Sequence, residues 1–275
     1  KAENESKRVF GESKLFLEKY LLRPKHIEVQ ILGDNYGNIV HLFDRDCSVQ
    51  RRNQKVIEFA PAWSVSEDVR KIILDSAKRL ARRVGYNNVG TMEFLLDEEE
   101  NPYFIEMNPR IQVEHTVTEM VTGIDMVVCQ ILVAEGYPLN CPQIHIYSQN
   151  EVKCNGYAIQ VRVTTEDPAH DFLPDNGKID LYRSSAGNGI RLDGGNAYAG
   201  AVITTHYDSM LVKLIAHDRT FAGAIQKSVR ALKEFRIHGV KTNMTFLINV
   251  LKHEVFQEGK AYTTFIRETP ELIER

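Results

Sequence analysis

The stretch Tyr103–His115 reads YFIEMNPRIQVEH. Taken in steps of two, Glu106, Asn108, Arg110, Gln112 and Glu114 share one phase, while Met107, Ile111 and Val113 share the other. In an extended chain alternate side chains share a face. One ribbon would then present acid, amide, guanidinium, amide and acid in a row. A solvated surface strand is polar too, but this succession of functional groups points to a site. Pro109, which has no N–H, ends the regular ladder in the middle of the run.

The preceding residues supply a partner. Thr91–Asp97 alternates as a strand, 98–102 is a turn, and Tyr103–Met107 is the returning strand. A turn centred between Glu99 and Glu100 sets Glu93 directly across from Glu106, and Thr91 across from Asn108. Directly opposed side chains lie about 4.5–5.5 Å apart at Cβ, and like charges there are destabilising. Two facing carboxylates with an amide therefore call for a cation. An all-oxygen set suits Mg²⁺ or Mn²⁺, which take one or two carboxylates and complete their shell with water and nucleotide phosphate. A register shifted by one residue would put Glu93 on the other face.

Working toward the N-terminus, His26–Leu32 alternates, with Ile27, Val29 and Ile31 opposite His26, Glu28 and Gln30. The cluster Asp34–Asn38 is a turn and Ile39–Phe43 the returning strand. The basic stretch Arg45–Lys55 has little apolar periodicity and reads as a loop that holds an anion. Residues 3–16 read as the end of a helix, and Leu15–Tyr20 as a short strand. Ser64-Val65-Ser66-Glu67 matches the S-x-x-E capping box. It opens a helix in which Val69, Ile72, Ile73, Ala77, Leu80 and Val84 recur at helical spacing until Gly85.

Toward the C-terminus, helices are expected in 116–122 or 125–135. Short strands follow: Tyr157–Thr164, Lys178–Tyr182, Gly189–Leu192, Tyr198–Thr204 and Met210–Ala216. They suggest a small antiparallel sheet or partial barrel. Arg162 is in phase with Gln160 and Thr164. A helix from Phe221 capped by Thr220 or Asp218, and another over Asn243–Val250, complete the pattern. The fold class is α+β, divided into 1–22, 23–140 and 141–275.

The bulk properties fit a chain of 275 residues with 43% hydrophobic and 26% charged residues and a net charge of −3. No general nucleic-acid surface is expected at that balance. The longest apolar run, Met126–Ala134, is far short of a membrane span, so neither nucleic acid nor membrane is expected as a partner. The opening KAENESKRVFGESK has no signal-peptide core and reads like the middle of a helix, as in a piece of a longer protein. Cys47, Cys129, Cys141 and Cys154 lack CxxC spacing. Four reduced thiols in a reducing compartment are expected: the cytoplasm, or the mitochondrial matrix in a eukaryote. Apart from His26, the histidines show no ligand-like spacing.

Five blocks, RDCSVQRRNQK, GTMEFL, FIEMNPRIQVEHTVTEM, VRVTTEDP and HYDSMLVKL, resemble the biotin carboxylase component of biotin-dependent carboxylases, a group of ATP-grasp enzymes. They occur in the family's order over essentially the whole chain. RLDGGNAYAGAVITTHYDS and FIRETPELIE resemble the pyruvate carboxylases more than the acyl-CoA carboxylases. The resemblance implies a lid remnant over 1–22, an ATP-grasp antiparallel-sheet core over 23–140 and a biotin carboxylase C-terminal domain over 141–275.

The resemblance also implies roles. Glu18, Lys19 and Leu21 would contact adenine, and His26 and Gln50 would line the nucleotide pocket. Glu93, Glu106 and Asn108 would hold the metal ions that bridge ATP phosphates. Lys55, Arg110, Gln112 and the Val113 backbone would hold bicarbonate, with Glu114 as the base that deprotonates it. Arg162 would stabilise the biotin enolate, and Asp208 could brace Arg162 or a subunit contact. Biotin would arrive on a separate carrier domain, and the full-length enzyme would be a homo-oligomer.

Two departures from the family pattern stand out. Asn53 replaces the usual histidine, and the glycine-rich phosphate loop with its preceding lysines is absent from these residues, which predicts weak activity for the chain alone. Another ATP-grasp ligase working through carboxyphosphate, and a non-catalytic oligomerisation or nucleotide-sensing piece, are the competing expectations.

Overall fold

Alternating apolar residues build most of the fold as extended chain. The computed structural model describes residues 2–195, 197–204, 206 and 208–273. After helix α1 (Ala2–Phe10) come β1 (Lys25–Gly33), β2 (Ile39–Arg51) and β3 (Gln54–Ala60). Helix α2 (Glu67–Arg83) precedes the hairpin of β4 (Asn88–Leu96) and β5 (Pro102–Asn108). Helices α3 (His115–Thr122) and α4 (Met126–Ala134) follow, then β6 (Tyr157–Thr164). The C-terminal part adds the short strands β7 (Glu166–Asp167), β8 (Leu173–Pro174), β9 (Gly177–Lys178) and β10 (Leu181–Arg183). It continues with β11 (Ile190–Gly194), β12 (Val202–Ile203), β13 (Met210–Asp218), α5 (Phe221–Glu234), β14 (Arg236–His238) and α6 (Met244–Lys252).

Eight strands make one antiparallel sheet in the order β11-β13-β6-β3-β2-β1-β4-β5. The long C-terminal strands thus extend the sheet begun by β1–β5, through the pairing of β3 with β6. The other short strands form two-stranded ladders, β7 with β8, β9 with β12 and β10 with β14.

On one face of β1, Ile27, Val29 and Ile31 pack with Ile73, Ala77 and Ala81 of α2. A second core joins Phe59, Val161 and Leu214 to Ala224, Leu232, Phe246 and Leu251 of α5 and α6. Full burial of each large side chain there is worth about 1.5–3 kcal/mol. The opposite face of β1 is polar yet also buried. There Thr118 of α3 meets Arg45 of β2 at 3.1 Å.

Several expectations from the sequence need correction. Leu15–Tyr20 is not a strand: the segment joins no ladder of the sheet, and Leu17 is fully exposed. The basic stretch is not a loop. Its first part belongs to β2, which turns through Arg52 and Asn53, both at positive φ (49° and 63°), into β3. The inward charges of Arg45 and Lys55 are tolerated in strands because the buried Glu28 neutralises them, while Arg51 and Arg52 pair with the exposed Asp171. The capping box does not form, because the helix starts later, with Ser66 as its N-cap and no side-chain cap bond. Ser64 instead accepts from Lys25 Nζ at 3.3 Å. The segment Lys178–Tyr182 is split between β9 and β10, and α5 is followed by the short strand β14.

The β4–β5 register matches the expectation where it matters: Glu93 opposes Glu106 and Thr91 opposes Asn108. Nearer the turn a bulge shifts it, so Phe94 opposes Phe104. Thr220 caps α5 by accepting from Gly223 N. The four cysteines are free thiols.

Candidate active site

The polar phase of the hairpin meets the polar phase of β1. Glu93 Oε1 accepts from Gln112 Nε2 at 2.7 Å and from Asn108 Nδ2 at 2.8 Å, and its Oε2 meets His26 Nε2 at 2.8 Å. Burial pushes the Glu93 carboxyl up, but the His26 bond and the Lys55 charge outweigh it and hold the group at about 2. Glu106 is tied to the same amide, 3.0 Å from Asn108 Nδ2. Asn108 Oδ1 in turn accepts from Arg110 at 3.2 Å. Gln50 Nε2 contacts His26 Nδ1 at 2.7 Å.

Lys55 gathers three carboxylates. Its Nζ donates to Glu28, to Glu114 Oε1 at 2.7 Å and to Glu93 Oε1 at 3.4 Å. Burial opposes the ammonium, but the anionic groups around it, Glu28 and Glu114 among them, raise its pKa. The other oxygen of Glu114 accepts from Arg162 at 3.0 Å. Arg162 Nε is held by Glu58 at 2.6 Å. Asp208 does not brace Arg162; its Oδ1 accepts the Met210 N–H at 2.8 Å.

Lys55, Arg110, Gln112, Val113, Glu114, Arg162 and Asn53 all line one cavity of about 510 Å³. The backbone of 112–114 is pinned from two sides. His115 Nδ1 contacts the Gln112 carbonyl at 2.7 Å, and Lys213 Nζ donates to the Val113 carbonyl at 3.1 Å. Glu18, Lys19 and Leu21 lie apart from this cluster, on the irregular segment after α1. Lys19 Nζ bonds Tyr103 Oη at 2.7 Å, near the start of β5.

Sequence reasoning missed Glu28, Arg45, Glu58 and Lys213. The signal for Glu28 was present, since it shares the phase of His26 on β1. Glu28 is fully buried, and Arg45 and Lys55 hold it ionised against the burial that would raise it.

The donor chemistry fits a hard divalent cation. Glu93, kept ionised, and Glu106 and Asn108 are the residues that would hold it. Such a cation supplies charge neutralisation for phosphoryl transfer. Glu28 and Glu114 have Lys55 close by for that purpose, Glu93 shares it at 3.4 Å, and Glu106 has the Asn108 amide.

Comparison with known proteins decides the family. Residues 1–141 match the family described as carbamoyl-phosphate synthase L chain, ATP binding domain, and residues 160–268 match the biotin carboxylase C-terminal domain. This chain belongs to the biotin carboxylase ATP-grasp family. Pyruvate carboxylase of Aspergillus niger is 57% identical over 99% of the chain, and that of Bacillus subtilis 56% over 99%. The chain spans about a quarter of those relatives' lengths, 23% and 24%.

Among solved structures, the biotin carboxylase domain dimer of Hydrogenobacter thermophilus 2-oxoglutarate carboxylase was determined with MgADP, ADP and bicarbonate. It matches at a TM-score of 0.92 and 44% identity, over 99% of this chain and 59% of that one. Rhizobium etli pyruvate carboxylase matches at 0.91 and 51% identity, over 94% of this chain and 24% of that one.

Proposed function

We propose that this chain carries the bicarbonate- and metal-binding part of an enzyme that carboxylates biotin with ATP and bicarbonate, as the first half-reaction of a pyruvate carboxylase. The observation that carries the reading is the Lys55–Glu114–Arg162 cluster on a cavity that Arg110, Gln112 and Val113 also line. Bicarbonate bound there by Arg110, Lys55 and Gln112 loses its proton to Glu114 and attacks the γ-phosphate of ATP. Carboxyphosphate and ADP form. Carboxyphosphate breaks to CO₂ and phosphate, the phosphate takes the N1′ proton of biotin, and N1′ adds to CO₂.

The physics supports these roles. Phosphoryl transfer needs fixed charges around developing charge more than covalent help. A base must lie within hydrogen-bond reach of its proton, and Glu114 is already in the cation cluster that would hold the anion. The planar guanidinium of Arg162 suits a ureido oxygen and is braced by Glu58. The high identity to pyruvate carboxylases favours pyruvate as the acceptor after biotin. A biotinylated carrier domain, homo-oligomeric assembly of the full-length protein, and residence in the cytoplasm or mitochondrial matrix belong to the same reading. Glu18, Lys19, Leu21, His26, Gln50 and Asn53 are proposed for the nucleotide side.

The test is ATP cleavage measured with and without bicarbonate and biotin. A slow rate is expected of a chain a quarter the length of its relatives, so dependence decides. Cleavage that rises with bicarbonate and vanishes in Glu114→Gln supports the reading. Cleavage indifferent to bicarbonate overturns it.

A further inference from the structure

Arg45 is one of the largest fully buried side chains of the molecule. It lies in the basic stretch that the sequence suggested as an anion-holding loop, and its guanidinium instead faces inward. Nε and NH2 donate to Glu28 Oε2 at 3.0 and 2.9 Å. NH1 donates to Gln30 Oε1 at 2.6 Å and Thr118 Oγ1 at 3.1 Å. NH2 also reaches Thr91 Oγ1 and Gln112 Oε1, both at 3.1 Å.

The last contact has a chemical consequence. A guanidinium has donors and no acceptor, so the Gln112 atom that faces it must be the carbonyl oxygen. On the other side Gln112 meets Glu93, an ionised carboxylate with acceptors and no donor. The two neighbours demand the same orientation of the amide. Nε2 therefore points to the Glu93 side of the cavity and Oε1 into the interior. One Nε2 hydrogen goes to Glu93, and an amide nitrogen carries two. The second is available to an anion in the cavity that Gln112 lines.

We infer that Arg45 is a positioning residue. It locks the Gln112 amide so that an anionic substrate meets a donor, and through Glu28 it anchors Lys55. Without the guanidinium, Glu93 alone holds the amide and the buried Oε1 loses its donor, so the orientation that presents Nε2 to the anion is held less firmly. Lysine keeps the charge of Arg45 but not the fork that reaches Glu28 and Gln112 together. The kinetic part of this inference rests on the bicarbonate reading; the amide geometry does not.

The experiment labels glutamine side-chain amides with ¹⁵N in the wild-type chain, in Arg45→Lys and in Gln112→Ala, which identifies the Gln112 signals by their loss. Slowly exchanging, well-separated Gln112 amide protons are expected in the wild type, moving toward the values of an exposed glutamine in Arg45→Lys. Unchanged Gln112 signals in folded Arg45→Lys overturn the inference. If Arg45→Lys does not fold, the wild type decides: Gln112 protons that exchange as fast as those of an exposed glutamine overturn it.

Steady-state kinetics supplies the second arm. Arg45→Lys should raise the bicarbonate KM by about tenfold or more, with the ATP KM changed less than about threefold. In a Gln112→Ala background it should add less than about threefold. Fully additive losses overturn the coupling. A wild-type chain with no bicarbonate dependence at all would refute the bicarbonate reading instead, and the amide signals would still decide the role of Arg45.

Discussion

Lys55 and Glu114 are joined by a 2.7 Å hydrogen bond between residues on β3 and on the loop before α3, and neither relies on the other alone. Lys55 also holds Glu28 and Glu93, while Glu114 also holds Arg162, which keeps Glu58. Removing the charge of Glu114 therefore strands no buried cation. Glu114→Gln should fold with a melting temperature close to that of the wild type. Its bicarbonate-dependent ATP cleavage should fall by about 10²–10⁴-fold, the usual contribution of a positioned base. Parallel melts and rate assays check this, and a variant with the wild-type rate removes Glu114 from the chemistry.

Asn53 lies at the turn between β2 and β3 with φ of 63° and lines the cavity. Asparagine and histidine both visit the left-handed region more readily than most residues. Asn53→His should accordingly leave the fold intact and change the ATP KM. An unchanged KM would place Asn53 outside the nucleotide pocket.

Lys25 ties β1 to the C-terminal segment. Its Nζ reaches Asp46 at 3.3 Å, the Gly259 carbonyl at 2.5 Å and the Ala261 carbonyl at 3.4 Å. Lys25→Met leaves the buried Asp46 carboxylate without its cation, a loss of about 3–5 kcal/mol. Adding Asp46→Asn should recover much of that. Urea unfolding of the wild type and both variants tests it, and equal destabilisation by the single and double changes would show that the pair is not what matters.

Acid should unfold the protein in two stages. His41 is pushed down from 6.5 to about 4, mainly by burial. It is neutral in the folded state while the unfolded state takes up a proton, so stability falls as pH drops from 6.5 to 4, by about 3 kcal/mol. Glu93, depressed from 4.5 to about 2, contributes stability that is present above pH 4.5 and is lost as pH falls through about 2. His41→Asn should flatten the first stage and spare the second. Unfolding midpoints measured from pH 8 to pH 2 report both, and an unaltered slope between 6.5 and 4 would remove His41 as the cause.

Among the described residues no single helix is long and apolar enough to cross a membrane, in line with the short apolar runs of the sequence.

The sequence by itself determined what depends on near neighbours. Period-two alternation set the phases of β1, β4 and β5. The short turn put Glu93 opposite Glu106, and Pro109 divided the ribbon between Glu106 and Asn108 on one side and Arg110, Gln112 and Glu114 on the other. Those features follow from backbone geometry over a few residues.

The tertiary structure alone decided which strands lie side by side. Glu28, Arg45, Glu58 and Lys213 come from β1, β2, β3 and β13, and they reach the site only because the sheet order brings those strands together. Arg45 shows why the basic stretch misled. A run of cations looks solvated until a distant carboxylate, here Glu28, and a helix carrying Thr118 make burial affordable. The ribbon of Tyr103–His115 supplied the polar groups. Partners distant in sequence fixed their direction, because a buried donor or acceptor must be satisfied by whatever the fold places against it.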